Sequence, residues 1–166
     1  IEKKEDERGF FARSRDKKEF EQKKINPNWT QSSISFNNKK GTIRGMHYQT
    51  MPFEETKTIT CTQGRILDVI IDLREQSHTF KKWFSIELSQ ENHKRLYIPK
   101  GFANGFQTLE DKSEIQYEID GQYNSTYSKG IMWNDDTFKI KWPLEVSVIS
   151  QRDTSFPVFT QNDFNF

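Results

Sequence analysis

The sequence holds a single cysteine, Cys61, in 166 residues. An intrachain disulfide and an all-cysteine metal cluster are thereby excluded, and this usage fits a reducing compartment, with Cys61 expected as a small buried apolar residue. No run approaches the roughly 18 apolar residues of a membrane helix. No apolar stretch follows Ile1-Glu2-Lys3-Lys4-Glu5-Asp6, which argues against a signal peptide and makes the cytoplasm the expected compartment. Because the chain begins at Ile1 rather than Met, residues ahead of it are expected. Neither charge is in surplus: 25 basic residues nearly cancel 24 acidic ones. No overall field would draw the molecule onto nucleic acid or an anionic membrane, so an anionic ligand must be held by local groups. A P-loop, a dinucleotide fingerprint and a serine nucleophile elbow are all missing. His47, His78 and His93 are far apart and form no HxH or HExxH pattern, so no metal centre and no cofactor is expected.

What is present is the pattern of short strands, in a chain the size of one domain, taken as residues 1–166. Thr58-Ile59-Thr60-Cys61 alternates, Gln63-Gly64 marks a turn, and Arg65 to Arg74 is rich in β-branched and aliphatic residues. Trp83 to Leu88 alternates again, and Arg95-Leu96-Tyr97-Ile98 is stopped by Pro99. Gly101 to Leu109 sets glycines beside aromatics, as where a backbone bends closely around something. Ser113 to Ile119, Phe138 to Trp142 and Val146 to Ile149 predict further strands. Many short strands divided by turns favour a sandwich or barrel over βαβ units. The one helical segment expected is Asp16 to Gln22, capped by Ser14 or Asp16. Residues 1–42 are expected to add edge strands, and residues 161–166 a tail or a subunit-packing segment.

Gly41-Thr42-Ile43-Arg44-Gly45-Met46-His47-Tyr48-Gln49 gathers arginine, histidine and glutamine around a glycine. On a regular strand Arg44 and His47 would point to opposite faces; a bulge or bend at Gly45 would bring them together. Spacing alone suits a surface strand with an incidental histidine equally well. As a general base, His47 needs a carboxylate on its second nitrogen to fix the tautomer, and Asp153, Asp72 and Asp68 are the alternatives. Tyr117 or Tyr123 would serve as an opposing acid, and Lys57 would stabilise charge on an enolate. Read plainly, the same residues are solvent-facing aspartates, a core tyrosine and a surface lysine.

Arg44-Gly45-Met46-His47-Tyr48-Gln49, Lys57, Gly64 to Arg74, Ile98-Pro99-Lys100-Gly101-Phe102-Ala103-Asn104-Gly105-Phe106 and Trp133-Asn134-Asp135 together resemble the dTDP-4-dehydrorhamnose 3,5-epimerase family. Arg8-Gly9-Phe10-Phe11 and Leu144 to Asp153 extend the likeness over nearly the whole chain. The resemblance implies an all-β, cupin-like jelly-roll barrel with short peripheral helices, a homodimer, and no catalytic metal. It implies epimerisation of a nucleotide-linked 4-keto sugar at C3, C5 or both. In that reading His47 is the base and Asp153 its buried partner. Lys57 lies near the keto oxygen and Tyr117 protonates the opposite ring face. Arg8, Phe10, Gln31 and Arg44 match positions for the nucleotide and its phosphates, and Gln49, Asn104 and Tyr123 complete the implied substrate-binding set. Asn104 departs from the histidine common in the Gly-Phe-Ala-x-Gly-Phe motif, Arg13 from an acidic residue, and Ser32-Ser33 from an acidic-plus-asparagine pair. The alternatives are a 3,4-ketoisomerase of the same architecture and a non-catalytic sugar-nucleotide binding protein.

Overall fold

The computed structural model describes residues 1–25 and 28–160; the expectation for 161–166 lies outside them. Most strands fall where alternation places them. In chain order they are β1 (Lys3–Asp6), β2 (Gly9–Ala12), β3 (Gln31–Asn37), β4 (Thr42–Gln49), β5 (Thr56–Gln63), β6 (Arg65–Asp72), β7 (Trp83–Ser89), β8 (Arg95–Ile98), β9 (Phe102–Thr108), β10 (Ser113–Asp120), β11 (Ser128–Gly130) and β12 (Val148–Ile149). Two short helices, α1 (Lys17–Gln22) and α2 (Gln151–Thr154), complete the set. Asp16 caps α1, its carboxylate accepting from the backbone N–H of Lys18 and Glu19.

A four-stranded sheet runs β3-β10-β5-β8, and a larger one runs β11-β4-β9-β6-β7 with β12 also on β4. These sheets correct the barrel expectation. Each is open: among the described residues β3 and β8 end one ladder, β11 and β7 end the other, and neither ladder returns on itself. Short alternating strands suit a packed pair of open sheets as well as a closed barrel, so the strand pattern does not separate them.

Two apolar layers result. Between the sheets lie Ile59, Cys61, Ile66, Ile70, Leu88, Ile98, Phe106 and Ile115. On the larger sheet's other face Met46, Tyr48, Val69, Ile71, Leu73 and Ala103 are covered by Ile131 and Phe138. Phe138 opens the stretch expected as a strand at Phe138 to Trp142, which is not one. Its backbone instead closes turns on Asp135, from the N–H groups of Phe138 and Lys139, and Lys139 sits at φ +49°. The apolar alternation there serves as anchors, with Ile140 and Trp142 packed against the layer. The strand expected at Val146 to Ile149 shrinks to Val148–Ile149. No helix among the described residues is long and apolar enough to cross a membrane.

Candidate active site

Strand β4 crosses the larger sheet beside β9, and the pairing slips at one place. Arg44 pairs with Phe106 and His47 with Asn104, so three steps on β4 are matched by two on β9. The extra residue is a bulge, and it turns Arg44 and His47 to the same face. Gly45 makes this possible. It sits at φ +135°, and a Cβ there would stand 2.5 Å from the Gly105 Cα.

The histidine is held from a distant part of the chain. Its Nε2 lies 2.8 Å from Asp153 Oδ1, and Asp153 Oδ2 accepts the Gly45 N–H at 3.1 Å. Asp153 rides on α2, whose N-cap Ser150 accepts the Asp153 N–H at 3.0 Å. Burial alone would raise the Asp153 carboxyl, but its bonds to His47, Gly45 and Ser150 outweigh that and hold it below the ordinary carboxylate range. An ionised Asp153 requires Nε2 to carry the imidazole hydrogen, which leaves the lone pair on Nδ1. Phe156 meets the ring edge-on, centroids 5.7 Å apart, and is seated against Gly130, where a Cβ would overlap its ring.

A cavity of about 340 Å³ opens beside this pair. His47, Gln31, Gln49, Lys57 and Tyr123 line it, all of them singled out in the sequence. The Gln49 amide is fully engaged by the protein: Nε2 donates to Phe53 O, Glu55 Oε2 and Gln122 O, and Oε1 accepts the Asn124 N–H. Gln31 donates to Gly121 O. Arg44 is exposed on the face of His47, its Nε donating to Asn37 Oδ1 at 2.7 Å.

Such a set, a carboxylate-held imidazole and an ammonium around one hollow, suits removal of a proton beside a carbonyl. The likeness to known proteins is as specific. The model of the dTDP-4-dehydrorhamnose 3,5-epimerase family matches residues 1–161. The chain belongs to this family. A dTDP-4-dehydrorhamnose 3,5-epimerase of Shigella flexneri is 38% identical over 96% of this chain and 88% of its own. The crystal structure of the Bacillus anthracis epimerase, which has TDP and PPi bound, superposes with a TM-score of 0.92 at 40% identity, covering 95% of this chain and 90% of that one. The Legionella pneumophila enzyme, in complex with dTDP-4-keto-L-rhamnose, gives 0.88 at 33% identity over 95% and 84% of the two chains.

Not every residue carried over from the epimerase family reaches the cavity. Tyr117 does not line it; its neighbour on the same face of β10, Ile119, does. Tyr117 packs against the layer between the sheets. Burial, reinforced by Asp68 and opposed by Arg44, pushes its phenol well above the ordinary range. Asn104 is buried, donating to Asp68 Oδ1 at 2.8 Å and Val69 O at 3.3 Å. Arg8 and Phe10 lie on the β1–β2 hairpin, where Arg8 pairs with Asp6 at 2.6 Å and Phe10 meets His93 edge-on; neither lines the cavity. Of the three alternatives for the orienting carboxylate, Asp72 is spent on Arg74, Ser77 and Thr79, and Asp68 on Asn104. Sequence reasoning passes over Glu55, Ser128 and Arg152, which also line the cavity. Ser150-x-x-Asp153 has the spacing of a helix cap and is the available signal for α2.

Proposed function

We propose that this chain epimerises a dTDP-linked 4-keto deoxysugar at C3, C5 or both, by way of an enolate. The observation that carries the reading is the His47–Asp153 pair beside a cavity that Lys57 also lines. A carbon beside a ketone yields its proton only when the resulting oxyanion is stabilised. His47 Nδ1 takes that proton, and the Lys57 ammonium faces the oxygen as it becomes negative. Asp153 holds the imidazole and stabilises the imidazolium that forms. Inversion then needs a proton from the other ring face; the donor in this reading is the Tyr117 phenol, which lies outside the cavity lining, on the same face of β10 as the lining residue Ile119. Arg44 offers paired donors to the diphosphate, with Gln31, Gln49 and Tyr123 around the sugar and nucleotide, and Asn104 behind His47.

The reading takes residues 1–166 as one epimerase domain, working in the cytoplasm as a homodimer. Exposed Ile34 and Phe36 on edge strand β3, and exposed Phe11 on the hairpin, support the second copy. Arg8 and Phe10 belong to the same exposed hairpin and would complete the nucleotide site across that interface. The binding-protein alternative draws on Asn104, whose amide is instead turned to Asp68.

Incubation with a dTDP-linked 4-keto-6-deoxyhexose in D2O tests the reading. Deuterium is expected at C3 or C5 with inverted configuration, and His47→Asn is expected to lower kcat about 10²–10⁴-fold. Absence of both exchange and inversion in the wild-type protein would overturn it.

A further inference from the structure

Lys57 enters the cavity from β5 with its ammonium already partnered. Nζ lies 2.6 Å from Glu55 Oε1, and each side chain is 12% exposed. Both residues line the cavity. The second carboxylate oxygen, Oε2, accepts Gln49 Nε2 at 3.1 Å. Gln49 is itself fixed by Phe53 O, Gln122 O and the Asn124 N–H. The carboxylate is therefore pinned on one oxygen by an amide with nowhere to go, and turns the other to the ammonium.

A lysine ammonium sits on a flexible four-carbon stem, and left alone it samples many rotamers. A short charge-assisted bond in a mostly dry position removes most of that freedom. It takes one of three N–H groups, so the remaining donors stay available to a ligand oxygen. We propose that Glu55 is a positioning residue that holds the Lys57 ammonium where the enolate oxygen forms; this rests on the epimerase reading above.

The opposite role, a carboxylate that merely neutralises Lys57 and blunts its pull on the oxyanion, predicts faster turnover when the charge is removed. Glu55→Gln separates the two, because the amide oxygen still accepts from Gln49 while the anionic partner of Lys57 is lost. Turnover of a dTDP-linked 4-keto-6-deoxyhexose is measured for Glu55→Gln in the wild-type and Lys57→Met backgrounds. In the first, kcat is expected to fall about 10- to 100-fold with KM little changed. In the second no further loss is expected, since the effect runs through the lysine. Glu55→Asp, which keeps the charge on a shorter arm, restores part of the loss. A kcat equal to or above wild type, or the same fractional loss in both backgrounds, overturns the proposal; the latter makes Glu55 a brace for its own loop. A readout without turnover keeps this apart from the functional reading: the ¹⁵Nζ signal of Lys57. A slowly exchanging ammonium signal that disappears in Glu55→Gln supports the tether, and a signal unchanged by the substitution overturns it. Wild-type protein without turnover would count against the epimerase reading alone.

Discussion

Asp153 and Asp68 are both buried carboxyls, and their surroundings drive them in opposite directions. Asp153 is below the ordinary range, since its bonds to His47, Gly45 and Ser150 outweigh burial. Asp68 is raised well above 3.8 by burial, with the Asn104 bond and the Lys57 charge too weak to offset it. Its Oδ2 has no hydrogen-bond partner among the described residues. Burying it ionised would cost several kcal/mol, whereas one amide bond to a charged group returns about 1.5–3 kcal/mol, so burial favours the protonated form. The sign of the linkage follows. The folded chain keeps a proton that the unfolded chain releases above pH 3.8, so Asp68 costs stability increasingly as pH rises from there toward its folded value. Asp68→Asn is expected to flatten that decline and to leave the protein more stable near neutrality, as measured by urea unfolding across pH. An unchanged pH dependence would contradict it. Asp72, depressed by Arg74, Ser77 and Thr79 against its burial, and Asp153 act the other way, contributing stability above the ordinary carboxylate range that is lost as pH falls through their folded values. On residue type alone, Asp153, Asp72 and Asp68 are equivalent as partners for His47. The choice depends on a contact across 106 residues of chain, which periodicity does not encode.

Elements are legible in the sequence where a strand's own alternation decides its faces, as in β5, β7 and β10, where a β-branched and aliphatic run marks one, as in β6, or where Pro99 stops one, as in β8. In β4 the sequence marks Gly45 as the place where a bulge or bend would fit, without choosing it over a regular surface strand. Gly45→Ala tests it. A Cβ would meet the backbone of Gly105 and Asn104 at 2.5 and 3.0 Å, at a φ of +135°, and backbone cannot swing aside as a side-chain tip can. The substitution is expected to cost at least about 2 kcal/mol of stability and to lower activity, since Arg44 and His47 lose their common face. A Gly45→Ala protein as stable as wild type by urea unfolding would contradict this. The segment from Phe138 to Trp142 departs from the strand expectation because its alternation is real but serves anchoring. Trp142 Nε1 donates to Trp133 O, and Trp83 Nε1 to Phe138 O, so the chain is fixed by side chains rather than by a ladder. Helix α2 is too short for helical periodicity to show, and only its cap spacing marks it.

At the scale of the molecule, the two open sheets enclose one apolar layer, and the chain after β11 covers the other and brings Asp153 back to β4. The covering segment is tied by Asp135, whose carboxylate accepts the N–H of Thr137 and of Phe159. This return of the chain is not legible in the sequence, because no local pattern says which sheet face a loop will cover. The family resemblance singles out Asp153 as the partner of His47 where the residues alone leave three choices; Asp153 Oδ1 lies 2.8 Å from His47 Nε2. The barrel it also implies is not formed. The proposed mechanism turns on opposite faces of one sugar carbon, with His47 assigned to remove a proton on one side and Tyr117 to return one on the other. Tyr117→Phe, incubated in D2O with a dTDP-linked 4-keto-6-deoxyhexose, tests it most directly by proton NMR. The expected result is deuterium entering the sugar with retained configuration, while inversion falls by about 10²-fold or more. Inversion at the wild-type rate would contradict the account.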